Sequence, residues 1–101
     1  MRNVNLRITK ANIKTGEKTN PSKCAIANSI LDNINNVYYV NVIPGLATVK
    51  IKKGNSITAY SSPLPKTATT FIKKFDDGKK VSPFSLKLEF RKIDKKVAEL
   101  I

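Results

Sequence analysis

The stretch from Phe71 to Phe84 constrains the possible fold more than any other part of the sequence. Its first apolar residues are spaced as on one face of a helix: Phe71, Ile72 and Phe75. Gly78 is the residue type that closes a helix in a left-handed conformation, and Pro83 prevents the helix from continuing. The segment Phe84–Phe90 then alternates apolar and polar residues, as half-buried strands do. This stretch therefore predicts a helix that ends near Gly78 and packs against a following strand.

The start of the chain predicts a strand followed by a short helix. Residues 3–9 alternate polar and apolar side chains, which is typical of a strand with one buried face. Thr9 has the side chain of a helix N-cap, and a short helix over residues 10–15 is expected after it. Ile13 is expected to anchor this helix in the core, and Gly16 is expected to end it.

A second helix is expected over residues 23–34, because apolar residues recur there at helical spacing. Its N-cap is either Asn20, with Pro21 at the first helical position, or Ser22. The expected buried stripe contains Cys24, Ala27, Ile30, Leu31 and Ile34. Cys24 is interpreted as a small buried hydrophobe, since free cysteine is often buried and the chain has no histidine to activate the thiol.

The middle of the chain predicts an antiparallel meander of three strands. Residues 37–43 are rich in β-branched and aromatic side chains and are interpreted as a central strand buried on both faces. Turns at Pro44-Gly45 and at residues 53–55 separate this strand from two more, the last of them over residues 56–60. A loop over residues 61–65 then delivers the third helix.

These elements give the order β-α-α-β-β-β-α-β, which predicts one small α+β domain over residues 1–101. The sheet is expected to be mostly antiparallel, with the helices packed on one face and residues 92–101 as a loose basic tail. No run approaches the roughly 20 apolar residues of a membrane span, and no signal-peptide pattern follows the first residues. A single cysteine excludes an internal disulfide framework, so the expected location is a reducing cytoplasm.

The strongest signal in the composition is the positive charge. Lys and Arg number 19 against 7 Asp and Glu, which gives a net charge of +12 and an isoelectric point near 10.1. Such a field favours an anionic partner: a nucleic acid, a nucleotide or an acidic protein surface. Most of the excess is lysine, which lacks the planar fork with which arginine grips phosphates. A lysine-rich composition that only maintains solubility is the alternative.

Outward positions on three predicted strands form the first candidate binding set: Arg7, Lys50, Lys52, Lys87 and Arg91. If these strands are neighbours, the set forms one basic sheet face, with Glu89 among the cations. Tyr38 or Tyr39, and Tyr60, would supply stacking rings for single-stranded nucleic acid, although such residues also pack in cores and at edges. A second basic cluster surrounds the end of the third helix: Lys73, Lys74, Lys79 and Lys80. Lysines there also favour the helix dipole.

The sequence shows no catalytic constellation, so we expect a non-enzymatic protein without a cofactor. It contains no glycine-rich phosphate loop, no metal-ligand spacing and no nucleophile with a plausible base. With one cysteine and no histidine, a zinc site of the Cys/His type is not expected. The adjacent carboxylates Asp76 and Asp77 would not face each other on a helix. A helix-end cap or a partner for Lys79 and Lys80 is their preferred interpretation.

Several of these motifs resemble a family of small phage-encoded proteins. In that family a strand ends in threonine, a short helix ends in glycine, and a helix with a Cys-Pro-Ile-Ala-like start follows. The matching positions are Ile8-Thr9, Ile13, Gly16 and Cys24-Ala-Ile-Ala27 at the opening, and Leu64-Pro65, Phe71-Ile72, Phe75-Asp76, Gly78, Val81 and Pro83-Phe84 at the close. The resemblance spans nearly the whole chain. The central meander matches only in character, and Ala25 replaces the usual proline.

Some members of this family are associated with anti-CRISPR activity against type I systems. The resemblance therefore implies a phage origin, this fold and a role against a defence system in the host cytoplasm, and it carries over no binding residue. The chain is more basic than those members, so DNA mimicry, which needs an acidic surface, is not expected. We expect capture of an anionic target: guide RNA or DNA, an acidic patch on a defence complex, or a nucleotide signal held by a sponge protein. A general nucleic-acid-binding accessory protein is the alternative, and a structural protein with incidental charge is the third.

Overall fold

The computed structural model describes residues 3–93 and has the α+β class that the sequence predicts. The strands are β1 (Asn3–Ile8), β2 (Val37–Ile43), β3 (Leu46–Lys53), β4 (Ser56–Pro63), β5 (Phe84–Glu89) and the short β6 (Arg91–Lys92). The helices are α1 (Lys10–Thr15), α2 (Ala25–Asn33) and α3 (Lys66–Asp76). The expected order is confirmed, with β6 added after the last predicted strand.

The strands form two antiparallel sheets where one was expected. β1 pairs with β5, from Asn3 opposite Glu89 to Ile8 opposite Phe84. The other sheet has the order β2-β3-β4-β6. Because only Phe90 separates β5 from β6, one nearly continuous stretch of chain leaves the first sheet and joins the second along β4. Phe90 is fully buried, so this crossing is anchored in the core.

α2 lies at the centre of the core and packs against a strand of each sheet, β1 and β2. Four of its residues have no exposed surface: Ala25, Ile26, Ala27 and Ile30. The Ser29 hydroxyl donates to the Arg7 carbonyl at 3.0 Å, which ties α2 to β1. Small alanine side chains at the start of α2 let the helix approach the strands closely.

The start of α2 differs from the prediction. The helix begins at Ala25, and Cys24 is its N-cap, with the Sγ atom accepting from the Ala27 N–H at 3.5 Å. The predicted caps, Asn20 and Ser22, belong to a preceding turn in which the Asn20 Oδ1 accepts from the Ser22 N–H at 3.1 Å. Such local side-chain bonds compete with helix capping, and here the turn prevails.

β2 is an edge strand, so the prediction of a central strand buried on both faces was wrong. It pairs with β3 on one side, and on the other the Val42 N–H donates to the Pro21 carbonyl at 2.8 Å. A β-branched and aromatic composition identifies a strand without fixing the number of its neighbours. β4 runs on to Pro63, so the loop predicted over residues 61–65 is partly strand.

α1 has the predicted bounds, cap and stop. The Thr9 hydroxyl accepts from the Asn12 N–H at 3.1 Å and the Asn12 Oδ1 accepts from the Thr9 N–H at 2.9 Å, which forms a capping box. Ile13 packs half-buried against the core. Gly16 ends the helix in an extended conformation with φ −68°. A Cβ atom on Gly16 would lie 2.7 Å from the Ala25 nitrogen and 2.9 Å from the Asn12 carbonyl oxygen, so glycine is needed here for close approach.

α3 ends as predicted, at a left-handed Gly78 with φ +76°. The Gly78 N–H donates to the Phe75 carbonyl at 3.1 Å, and the Lys79 N–H donates to the Lys74 carbonyl at 2.9 Å. This pair of bonds is the Schellman motif, which satisfies the last carbonyl groups of a helix. The chain therefore reverses direction sharply at the end of α3.

Aromatic rings join α3 to β5. The ring centroid of Phe71 lies 6.0 Å from that of Phe75 and 4.8 Å from that of Phe84. Leu86 and Leu88 of β5 are buried in the same core as Phe71 and Phe75. The predicted packing of the helix against the following strand is confirmed.

Within residues 3–93, no helix has both the length and the apolar character needed to cross a membrane. At the other end of this range, Lys92 lies in β6 and pairs with Tyr60. Residues 94–101 lie outside the described residues, so the loose tail expected over residues 92–101 stays a prediction there.

Candidate functional site

The candidate site is the outer face of the four-stranded sheet, which is the face turned away from α2. On β3, the alternate residues Ala47, Val49 and Ile51 are buried in the core that contains α2. The intervening positions face the other way and include Lys50 and Lys52. Among the described elements, α2 is the one helix that packs closely against a strand of this sheet. The outer face therefore carries no described helix.

A bulge in β2 places two tyrosines on this outer face. The pairing register shifts between Val37 and Tyr39, so that Tyr38 is an extra residue without its own partner on β3. The Lys50 Nζ lies 4.9 Å from the ring centroid of Tyr39, and the Lys52 Nζ lies 5.9 Å from that of Tyr38. Since the two lysines share one face of β3, both rings lie on that face as well.

Apolar side chains extend the tyrosines across the same face. Four of the large hydrophobic side chains that are exposed in the described residues lie here: Tyr38, Ile43, Leu46 and Ile57. Ile43 pairs with Leu46, and Ile57 pairs with Lys52, which fixes their common orientation. The outer face therefore combines cations, aromatic rings and aliphatic groups, as nucleic-acid-binding sheet surfaces do.

Leu31 of α2 lies beside the tyrosines and not in the core where it was expected. It is 46% exposed, and it lines a shallow cavity of about 240 Å³ together with Tyr38 and Tyr39. The prediction of a buried Leu31 was wrong because α2 buries its other side, around Ile26 and Ile30. Its position extends the apolar border of the candidate site.

β6 adds one arginine to the outer face. Arg91 pairs with Ser61 of β4, and the register puts both residues on the same face as Lys50. The Arg91 guanidinium lies 3.0 Å from the Glu89 carboxylate, and both side chains are exposed. Glu89 therefore neutralises part of the charge at this end. In the described part of the chain, Lys50 and Lys52 form no ion pair.

The two remaining members of the first candidate set lie on the other sheet. The Arg7 guanidinium on β1 donates to the Ser85 hydroxyl at 3.1 Å, and Lys87 on β5 lies opposite Asn5. Neither β1 nor β5 pairs with β3, so the condition for one basic sheet face is not met. The alternation in each strand identifies its buried face but not its neighbours, which is why the sequence left this condition open.

The second basic cluster surrounds the end of α3, as expected, and its four lysines are exposed: Lys73, Lys74, Lys79 and Lys80. Asp77 is the C-cap of α3, which was one of its expected roles. The Asp76 carboxylate accepts from the Thr19 N–H at 2.8 Å. Asp76 therefore holds the loop before α2 and does not pair with Lys79 or Lys80.

Tyr60 lies on the inner face of the sheet. It pairs with Val49, whose side chain is fully buried, and it packs half-buried against the core. Of the three tyrosines, Tyr60 therefore takes the packing role that was one of the two expectations, and it is not available for stacking on the outer face.

Cys24 is buried, as predicted, and it is chemically protected by its surroundings. Burial raises the pKa of the Cys24 thiol, although backbone N–H groups of Ala27 and Ile26 oppose that shift. Desolvation exceeds the effect of the helix N-terminus, so little of the reactive thiolate forms near neutral pH.

We expect Cys24 in the native protein to react slowly with a chromogenic thiol reagent, and to react quickly once the protein is unfolded in denaturant. The physical reason is that both access and thiolate formation require Cys24 to leave the core. The absorbance time course at one pH in both conditions measures this. Rapid labelling of the native protein would show that Cys24 is accessible and would reopen a redox role.

Within residues 3–93, no three acidic or cysteine side chains gather closely enough to hold a metal ion. No family model matches the chain, and the comparisons with curated proteins and with solved structures give no significant match. The resemblance to small phage-encoded proteins therefore stays a prediction. What the site does has to be argued from its own residues.

Sequence reasoning did not find the pairing of each tyrosine with its own lysine. A signal for it is present in β2, where the buried residues Val37, Val40 and Val42 are not evenly spaced. The first interval is one residue too long for a regular strand, which indicates a bulge between Val37 and Val40. Such a bulge at Tyr38 and Tyr39 turns both rings to the same side.

Proposed function

We propose that this protein is a non-enzymatic binding protein that captures single-stranded nucleic acid on the outer face of its four-stranded sheet. The observation that carries the proposal is the arrangement of Tyr38 and Tyr39 beside Lys52 and Lys50 on one exposed surface. Aromatic rings beside cations are the common features of surfaces that bind single strands without reading their sequence.

The tyrosine rings are suited to stacking because they are held on a sheet and are open to solvent. Tyr38 is 62% exposed, the highest value among the exposed large hydrophobics of the described residues. Each stacked base contributes about 1–3 kcal/mol, whereas a cation–π contact at an exposed site contributes about 0.5–1 kcal/mol. A base can therefore displace a lysine from its ring with a net gain. The released ammonium group then lies where it can contact a phosphate.

The rest of the face suits the path of a flexible strand. Neighbouring strands lie about 4.8 Å apart, so β2 and β6 are separated by roughly 14 Å. Lys50 and Lys52 lie near one end of that distance, and Arg91 lies at the other. Ile57 and Leu46 supply apolar contacts between them. Bases in a duplex are stacked on each other and do not reach such rings, so a single strand fits this surface better.

A role against a host defence system would follow from this binding if the captured strand is a guide RNA or an exposed DNA strand. That role rests on the resemblance to small phage-encoded proteins and on the net charge of +12. The alternative of a general nucleic-acid-binding accessory protein uses the same surface. The two differ in the target that copurifies with the protein from a cell that carries the defence system.

We expect the wild-type protein to bind a fluorescent single strand of about 15 nucleotides with an affinity that falls steeply as salt rises from about 50 to 200 mM. Replacing both Tyr38 and Tyr39 with alanine should weaken binding by about tenfold or more, because each lost stacking contact costs about 1–3 kcal/mol. Replacing Lys50 and Lys52 with glutamine should reduce the salt slope by roughly 1.4, since each phosphate contact on a single strand contributes about 0.7. Fluorescence anisotropy measures all three.

The matched control is Lys10→Gln with Lys14→Gln on α1, which removes the same charge from an exposed helix away from this sheet. This control should retain the affinity and slope of the wild type to within the general effect of lower net charge. Equal losses in both lysine pairs would mean that only diffuse charge matters. A complex with a protein partner that survives nuclease treatment, without binding to the strand, would also contradict the proposal.

A further inference from the structure

A second concave site lies away from the proposed nucleic-acid surface, between α3 and the segment that leads to β5. It is a cavity of about 500 Å³, which is within the usual range of 300–1,000 Å³ for small-ligand sites. Residues of α3 form one wall, and residues 80–85 form the other. The sequence analysis assigned the lysines here only to a helix-end cluster and did not recognise a cavity.

The apolar part of this cavity is aromatic. Phe71 and Phe84 both line it, and their ring centroids lie 4.8 Å apart with the planes tilted by 44°. Phe71 is nearly fully buried, and Phe84 is half-buried, so the pair presents a limited aromatic surface on a rigid base. Such a surface suits a flat ring of about the same size, because offset or tilted aromatic contacts are favourable.

The polar part of the cavity is cationic. Lys74 lies on the α3 wall and Lys80 on the opposite wall, and no acidic side chain is found among the described residues that line the cavity. Ser85 also lines it, and the Ser85 hydroxyl accepts from the Arg7 guanidinium at 3.1 Å. Arg7 is therefore held at the border of the cavity as a third positive charge.

The backbone brings the two lysines together. The Lys79 N–H donates to the Lys74 carbonyl at 2.9 Å, and Gly78 is left-handed, so the chain turns back along the last turn of α3. Lys80 follows at once and lies on the wall that faces Lys74. Lys73 and Lys79 belong to the same basic cluster but do not line the cavity.

We propose that this cavity binds a nucleotide, with the base against Phe71 and Phe84 and the phosphate between Lys74 and Lys80. Four hydroxyl side chains of the lining are available to hydrogen-bond the sugar or the phosphate: Thr67, Thr70, Ser82 and Ser85. An aromatic surface, opposed cations and several hydroxyls together match an aromatic ring linked to a phosphate better than they match a simple anion.

The experiment uses isothermal titration of the full chain with AMP, and with adenosine and inorganic phosphate as its two halves. AMP is expected to bind at one site per chain and more tightly than either half. Replacing Lys74 and Lys80 with glutamine should weaken AMP binding by about tenfold, because two partly exposed phosphate contacts are lost. These lysines are exposed, so the melting temperature without ligand should remain close to that of the wild type.

The matched control is Lys73→Gln with Lys79→Gln, which removes the same charge from the same cluster and should leave AMP binding within about twofold of the wild type. Equal weakening in both pairs would overturn the nucleotide site and leave only diffuse attraction. Phosphate binding as tight as AMP binding would also overturn it, since the aromatic surface would then contribute nothing. The Lys50→Gln, Lys52→Gln variant should bind AMP normally, so that a failure here is distinguishable from a failure on the outer face of the four-stranded sheet.

Discussion

Replacing Phe75 with alanine is expected to lower the free energy of unfolding by about 3–5 kcal/mol. Phe75 is buried, and its ring is stacked on that of Phe71 with centroids 6.0 Å apart. The tip of the ring also reaches to 3.0 Å from the position that a Cβ of Gly16 would take. The Phe75 ring thus joins α3 to the junction between α1 and α2. Alanine would leave a cavity between these helices, and neighbouring backbone cannot close it.

Thermal and denaturant unfolding of the variant measures this effect, and the melting temperature should fall by at least about 12 °C for a chain of this size. Tyr38→Ala is the matched control, since it also removes an aromatic ring, but one that is 62% exposed. Its effect on unfolding should stay within about 0.5 kcal/mol. A melt of Phe75→Ala that coincides with the wild type would refute the packing of α3 described above.

Replacing Gly16 with alanine is expected to destabilise the protein by about 1–3 kcal/mol through overpacking. The φ of −68° is open to any residue, so backbone strain does not contribute. The cost comes from the added Cβ, which would lie 2.7 Å from the Ala25 nitrogen and 2.9 Å from the Asn12 carbonyl oxygen. Both neighbours are backbone atoms of packed helices and cannot rotate away as a side chain can.

Chemical denaturation of Gly16→Ala and Lys14→Ala provides the comparison. Lys14 is exposed on the same short helix, so its truncation tests α1 without touching the junction, and we expect an effect within about 0.5 kcal/mol. Equal stability of the two variants would show that α1 and α2 separate easily.

The sequence predicted local structure well wherever one residue type answers one local requirement. Thr9 as a cap, Gly78 as a left-handed stop and the alternation before Phe90 all depend on contacts within a few residues. The division into two sheets depends on which strands are neighbours, and that is decided by long-range packing of α2 between β1 and β2. Composition carries no direct signal for such pairing.

The candidate sites show the same limit. Lys50 and Lys52 were predicted as outward cations from strand alternation alone, and Lys74 and Lys80 were recognised as a basic cluster. Their partners were not: a tyrosine meets each lysine of β3 only because of a bulge, and a phenylalanine pair meets Lys74 only because the chain turns back at Gly78. Both depend on backbone deviations of a single residue, which no periodicity argument resolves.

The pairing of β1 with β5 determines when the protein becomes whole during its synthesis. The Arg7 guanidinium contacts Ser85, 78 positions further along the chain, and α2 meets β1 long before β5 exists. At about 5–20 residues per second, the ribosome takes on the order of 4–16 s to supply the partner strand. During that interval β1 has an open edge and Leu6 and Ile8 lack half of their cover. The nascent chain therefore needs protection from aggregation, and the last strand, which also carries β6 into the other sheet, completes both sheets in one event.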